Sequence, residues 1–296
     1  METRWTDDRI RWIEDNHDQQ LSRDKGPDNN NEDEDRAYLD PFVDENPYET
    51  FAYESVSVHG YKRDADAVWK STGVTLWRAS EYLCDYLTQR VKQQQQDATP
   101  TSTSSSSADD TIQSNKLHIL ELGAGLGLCG LWMHHLLPTS DVCITDGDTD
   151  ALKLLRENVK RNQLQSPTPS STSQIGTVTV RQLLWGRDTT QTFMLQQQQQ
   201  QQPSSSHYNE RYDMVLASDI VYAAIIVQPL WETVSLLLKK TKSAVFIMAY
   251  AKRDVPVTIQ HVLDTAKNNR FTYTLVAEDP KGIWVYEFKW KQEQLE

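Results

Sequence analysis

The stretch Ile119-Leu120-Glu121-Leu122-Gly123-Ala124-Gly125-Leu126-Gly127 decides how this chain folds. A largely apolar run leads into three glycines at alternate positions, and helical periodicity follows the last of them. A strand that enters a glycine-rich turn and opens a helix is the first unit of an open α/β sheet. Ligands bind such sheets at the carboxyl ends of the strands, where the strand order reverses. Glycine at 123 and 125 lets the backbone turn sharply and come close to a ligand. The spacing also argues against one ligand. A dinucleotide site follows G-x-G-x-x-G, and counted from Gly123 the third glycine would fall at Leu128. Glu121 points the same way, because a carboxylate beside a pyrophosphate is unfavourable. A nicotinamide-linked oxidoreductase is therefore disfavoured.

Outward from this stretch the same unit repeats. Strands are expected at 116–122, 141–145, 177–184, 212–218 and 243–250, and helices at 127–137, 150–162, 225–240 and 257–268. Lys160 and Arg161 close one helix, which suits the negative end of its dipole. Strands 271–277 and 283–290 follow with only a short turn between them, too short for a parallel crossover, so they pair antiparallel. The fold class is α/β and Rossmann-like: a mixed sheet of about seven strands, helices on both faces and an antiparallel C-terminal hairpin. Upstream, 51–61 alternates as a strand or two. Residues 76–90 carry Leu76, Ala79, Leu83, Tyr86 and Leu87 at helical spacing.

Three low-complexity insertions are expected, at 93–115, 163–173 and 187–210, the last with seven consecutive glutamines. Such tracts bury too little apolar surface to offset the entropy of ordering, and surface loops tolerate length. Residues 1–46 are polar and acidic and are read as a disordered segment, with Trp5, Ile10, Trp12 and Ile13 as one face of a short docked helix. A single domain over 47–296 remains.

Bulk properties narrow the function. The formal charge of −12 disfavours sequence-independent binding to phosphate backbones and favours basic partners such as lysine-rich protein segments. Cys84, Cys129 and Cys143 form no C-x-x-C pair and sit in apolar stretches, which fits buried thiols in a reducing compartment. The histidines show no metal-ligand spacing. No apolar run approaches a membrane span, and Met1–Ile10 resembles no targeting signal. The expectation is a cytoplasmic chain, also found in the nucleus, and a monomer.

Three further motifs sit where strands end. In Thr145-Asp146-Gly147-Asp148, Asp146 lies 23 residues past Gly123, where nucleotide-binding folds place a carboxylate for ribose hydroxyls. Asp148 or Thr149 would cap the next helix. In Leu183-Leu184-Trp185-Gly186 the tryptophan offers a flat face to adenine, or simply fills the core. The fourth strand ends Ala217-Ser218-Asp219-Ile220-Val221-Tyr222.

Taken with Thr75-Leu76-Trp77-Arg78-Ala79-Ser80, these segments resemble the family 16 seven-strand protein methyltransferases, which include calmodulin-lysine N-methyltransferases and lysine methyltransferases acting on elongation factors and chaperones. The resemblance runs over roughly residues 68–250. E-x-G-x-G-x-G is the signature of seven-strand methyltransferases, so the implied cofactor is S-adenosyl-L-methionine. Glu121 would hold its cationic amino-acid end, directly or through water. Gly123, Ala124 and Gly125 would line its loop, Asp146 its ribose and Trp185 its adenine. Trp77 would lie near its methionine end, and Ser218 would line its pocket. The D-x-x-Y segment matches Asp219 and Tyr222, whose implied role is to hold an acceptor lysine and aim its nitrogen; the plainer alternative makes Asp219 a strand-end residue tying down the next turn. Leu184 stands where the family often has an acid, which bears on the adenine contacts. Two other readings stay open: a nucleic-acid or small-molecule methyltransferase, although the N-P-P-Y-like segment of amino-nitrogen enzymes is missing, and a non-catalytic binding module on the same fold.

Overall fold

The computed structural model describes residues 47–63, 71–97, 116–165, 175–200, 211–253 and 255–295. The proposed N-terminal helix face and residues 98–115 lie outside them.

Strands β1 (Tyr48–Tyr53) and β2 (Val56–Tyr61) form an antiparallel hairpin of their own. Helix α1 (Arg78–Asp97) follows a 3₁₀ turn at Thr72–Val74. It buries Ala79, Leu83, Leu87 and Val91, the stripe that its periodicity predicts. The alternating core then runs β3 (His118–Leu122), α2 (Leu128–Leu136), β4 (Asp141–Asp146), α3 (Thr149–Gln165), β5 (Val178–Gln182), α4 (Arg187–Gln200), β6 (Met214–Ser218), α5 (Val227–Leu237), β7 (Val245–Ala251) and α6 (Ile259–Asn268). Strands β8 (Phe271–Asp279) and β9 (Ile283–Trp290) close the chain.

The seven strands β3 to β9 make one sheet in the order β5-β4-β3-β6-β7-β9-β8. Pairs among β3 to β7 are parallel, and β9 joins β7 and β8 antiparallel. This is the expected mixed sheet. The order reverses between β4, β3 and β6, which sets a crevice at the carboxyl ends of β3 and β6. Both faces are covered. One core packs Trp231 of α5 against Phe246, Phe271 and Phe288. The other packs α1, α2 and α3 with the β1–β2 hairpin. Asn158 of α3 is buried, and its side chain accepts from His59 N–H (2.8 Å) and donates to the carbonyls of His59 and Leu126 (3.1 Å each). One amide thus ties the hairpin to the glycine turn.

The structure corrects the insertion boundaries. Residues 93–97 continue α1 and 163–165 continue α3. Most plainly, the third tract is helical over Arg187–Gln200. Glutamine is a good helix former, and this helix is anchored before and within its repeat. Phe193 is buried under the Arg181 guanidinium (4.3 Å to the ring centre), the Thr190 and Thr233 hydroxyls meet at 3.0 Å, and Gln197 donates to the Tyr212 hydroxyl at 2.6 Å.

Candidate active site

A cleft opens at the carboxyl ends of β3, β4 and β6, and every residue singled out from the sequence lines it except Glu121. Its floor is the glycine turn. Gly123, Gly125 and Gly127 have φ of 59°, 54° and 85°, left-handed values that L side chains rarely adopt. Space is also short. A Cβ on Gly123 would come 2.8 Å from Ile220 Cγ2 and 3.2 Å from Trp185, and one on Gly125 would come 3.0 Å from the Gly73 carbonyl oxygen. Ala124 N–H donates to the Thr145 carbonyl at 2.9 Å, which fixes the turn to the end of β4.

Asp146 holds the other side of that turn. Its Oδ2 accepts from Gly125 N–H (2.8 Å) and its Oδ1 from Asp148 N–H (2.9 Å). Burial pushes its carboxyl up to about 6, against the pull of those backbone donors. The Gly147 N–H is a third backbone donor to this carboxylate, which leaves it acceptor capacity for one further donor. Asp148, not Thr149, caps α3: its carboxylate accepts from Asp150 (2.7 Å) and Ala151 (3.0 Å).

Glu121 is placed differently from expectation. It is 1% exposed, lies outside the cleft lining, and accepts from Gly130 N–H at 2.8 Å, in the first turn of α2. Burial pushes its carboxyl up to about 8. In this position the carboxylate sets α2 against β3 through a buried bond.

Trp185 packs at the cleft edge against the glycine turn, and Leu184 lies 3.1 Å from where a Gly147 Cβ would sit. This edge of the cleft is thus apolar.

The far side of the cleft belongs to Trp77, Ser218, Asp219 and Tyr222. Trp77 is fixed by its indole N–H, which donates to the Thr72 carbonyl at 2.8 Å. Asp219 has φ 59°, a left-handed conformation that Asp tolerates better than most side chains. Its N–H continues the ladder to the Ala249 carbonyl (2.9 Å), and the residue lines the cleft. Its carboxylate pairs with the Arg253 guanidinium, which lies 4.3 Å over the Trp77 ring. Burial lowers Arg253 to about 10, so it stays charged at neutral pH. Tyr222 keeps other company: its phenol is hydrogen-bonded to the Thr72 side chain, and burial, with the charges of Asp146 and Asp148, pushes it up to about 12.

Two contributors went unread in the sequence. The Ser71-Thr72-Gly73 segment folds over the glycine turn, and its small residues are the sole hint of that close approach. Arg253 gives no local sign at all. Among the described residues there is no cluster able to hold a metal ion, and no helix is long and apolar enough to cross a membrane.

The left-handed glycine turn, the ribose-side carboxylate and the sheet order together define an S-adenosylmethionine-dependent methyltransferase. Residues 64–268 match the family model described as lysine methyltransferase, and the chain belongs to that family. Solved structures of similar fold include an S-adenosylmethionine-dependent methyltransferase from Agrobacterium tumefaciens, at 11% identity over 84% of this chain and 72% of that one, TM-score 0.48. A putative S-adenosylmethionine-dependent methyltransferase from Streptococcus mutans aligns at 8% identity over 83% of this chain and 56% of that one, TM-score 0.48. The fibrillarin pre-rRNA processing protein of Methanococcus jannaschii aligns at 14% identity over 61% and 68%, TM-score 0.42. A comparison with curated proteins gave no match.

The residues present fit the cofactor. The glycine turn is a cradle that any Cβ would fill, and the Asp146 carboxylate, with three backbone donors, has acceptor capacity left for a ribose hydroxyl. Gly123, Ala124, Gly125, Asp146 and Trp185 would hold the nucleoside, and Trp77 and Ser218 the methionine end.

Proposed function

We propose that this chain methylates a lysine side chain of a protein. The observation that carries the reading is that Asp219, held in a left-handed backbone, and the Trp77 ring both line the cleft and share one cation, the Arg253 guanidinium. A carboxylate and an aromatic face together favour an organic cation. The family description, lysine methyltransferase, supports the same acceptor.

When bound, S-adenosylmethionine supplies an electrophilic methyl on a positively charged sulfur. The protein's task is then orientation in a site closed to water. Asp219 receives the ammonium form of the acceptor and fixes its nitrogen. A lysine has a reference pKa of about 10.4, so a proton must leave to solvent before attack, and a neighbouring positive charge favours that loss. Trp77 walls the acceptor path. Tyr222, bonded to Thr72, braces the segment that covers the glycine turn. The three free, buried cysteines support a reducing compartment, and we place the chain in the cytoplasm or nucleus, acting as a monomer.

The test is transfer of label from methyl-labelled S-adenosylmethionine to a hypomethylated extract, with Asp219→Ala as control. A labelled band that resists nuclease, yields to protease and disappears with the variant is the expected result. Label lost to nuclease would move the acceptor to nucleic acid and sink the lysine reading.

A further inference from the structure

We propose that Trp77 and Asp219 form a slot for a side-chain cation that the chain's own Arg253 fills, so that an acceptor must displace this guanidinium to enter. The inference rests on the reading of Asp219 as the acceptor-side residue. Both walls line the cleft. Arg253 comes from outside that lining, two residues after β7, and reaches back to bridge them. Its guanidinium is paired with the Asp219 carboxylate and stacked over the Trp77 ring at 4.3 Å.

The arrangement is that of a bound ligand rather than a surface ion pair. Side-chain exposure is 14% for Arg253 and 5% for Asp219, so both charges are largely out of water, and removing one partner leaves the other uncompensated. Asp219 adopts its left-handed backbone to present the carboxylate. Trp77 is held in place independently, through its bond to the Thr72 carbonyl, so the aromatic wall persists when Arg253 leaves. The adjacent Lys252 N–H bonds the Gly282 carbonyl at 2.8 Å. The arm is therefore anchored at its base, while its tip rests on the two cleft residues.

An alkylammonium fits the same two walls. A carboxylate accepts an ammonium as it does a guanidinium, and an aromatic face attracts either. The two compete, and a slot filled nine-tenths of the time by its own arginine weakens the entering cation about tenfold.

The experiment titrates n-butylammonium into the full-length chain and follows binding by calorimetry, with sodium at equal ionic strength as the blank. The chains compared are the unaltered protein, Arg253→Met, Arg253→Ala and Asp219→Ala. Arg253→Met keeps the packing over Trp77 and guards against a merely unfolded variant. Expected is an affinity about tenfold tighter in both Arg253 variants, and none measurable in Asp219→Ala. Equal affinity in unaltered and Arg253-substituted chains overturns the proposal, as does unchanged binding in Asp219→Ala. If the cation titration succeeds and the extract shows no labelled protein, the lysine reading fails while the slot stands.

Discussion

The two sides of the cleft are made by different means. The cofactor side is backbone: a turn of three left-handed glycines, pinned by one amide to Thr145 and one to Asp146, all within about 25 residues of sequence. The opposite side is side chains from three distant segments, Trp77, Asp219 and Arg253, joined by charge and stacking. Backbone geometry is written in short runs of sequence. An ion pair across the fold depends on topology, and no short run contains it.

Substitutions can break this contrast, and the glycine turn should break hardest. Gly125→Val places a branched side chain at φ 54° and within 3.0 Å of the Gly73 carbonyl. Left-handed strain of about 1–2 kcal/mol adds to the displacement of that carbonyl, and a total of about 3 kcal/mol would weaken cofactor binding about 100-fold. Calorimetry with S-adenosylmethionine checks it. Affinity within threefold of the unaltered chain would show that the floor is not rigid backbone.

Asp219→Asn tests the opposite side. It removes the charge and keeps the shape, so methyl transfer should fall about 30-fold, the worth of a charged hydrogen bond of about 2 kcal/mol, while cofactor affinity stays within about threefold. Loss of cofactor binding in this variant would merge the two sides into one. Asp146→Asn probes the cofactor side by pH. The carboxyl titrates at about 6, and ribose hydroxyls need its ionised form. Affinity should therefore decline as pH falls from 7.5 to 5 in the unaltered chain, and run flat and about tenfold weaker in the variant. A decline that persists in Asp146→Asn would assign the titration elsewhere.

Tyr222→Phe removes one hydroxyl bond, worth about 1 kcal/mol. It should raise the Kd of the cofactor about fivefold, because Thr72 belongs to the segment covering the glycine turn. Smallest is Glu121→Gln. Glu121 is held at about 8 in the fold against an ordinary 4.5, so between those values the folded chain carries a proton that the unfolded chain lacks. Stability falls as pH rises through that window. The variant should melt a few degrees higher than the unaltered chain at pH 8 and about equally at pH 4.5. Equal melting at both would show that the buried carboxyl is not protonated.

How much was legible follows from the same contrast. The glycine turn, Asp146 and the strand ends at Trp185 and Ser218 announce themselves, because each is a strand meeting a turn. The burial of Glu121 is not legible in the sequence. β3 is buried on both faces, so its apolar run carries no alternation to say which way a carboxylate points. Arg253 follows Ala251-Lys252 with no pattern at all, and only the fold brings it to Trp77. The glutamine tract was read as loop because its composition lacks apolar residues, yet Thr190 and Phe193, just ahead of the repeat, supply the anchors that order it.

That helix has a bearing on how the gene can change. Among the described residues, its last side-chain bond to the rest of the domain is that of Gln197 to Tyr212. Each glutamine inserted between Gln197 and Gln200 would lengthen the helix by about 1.5 Å without shifting Thr190, Phe193 or the cleft. Lineages should therefore differ in tract length while keeping the same catalytic body, and the tract is a place where this enzyme varies at little expense to its chemistry.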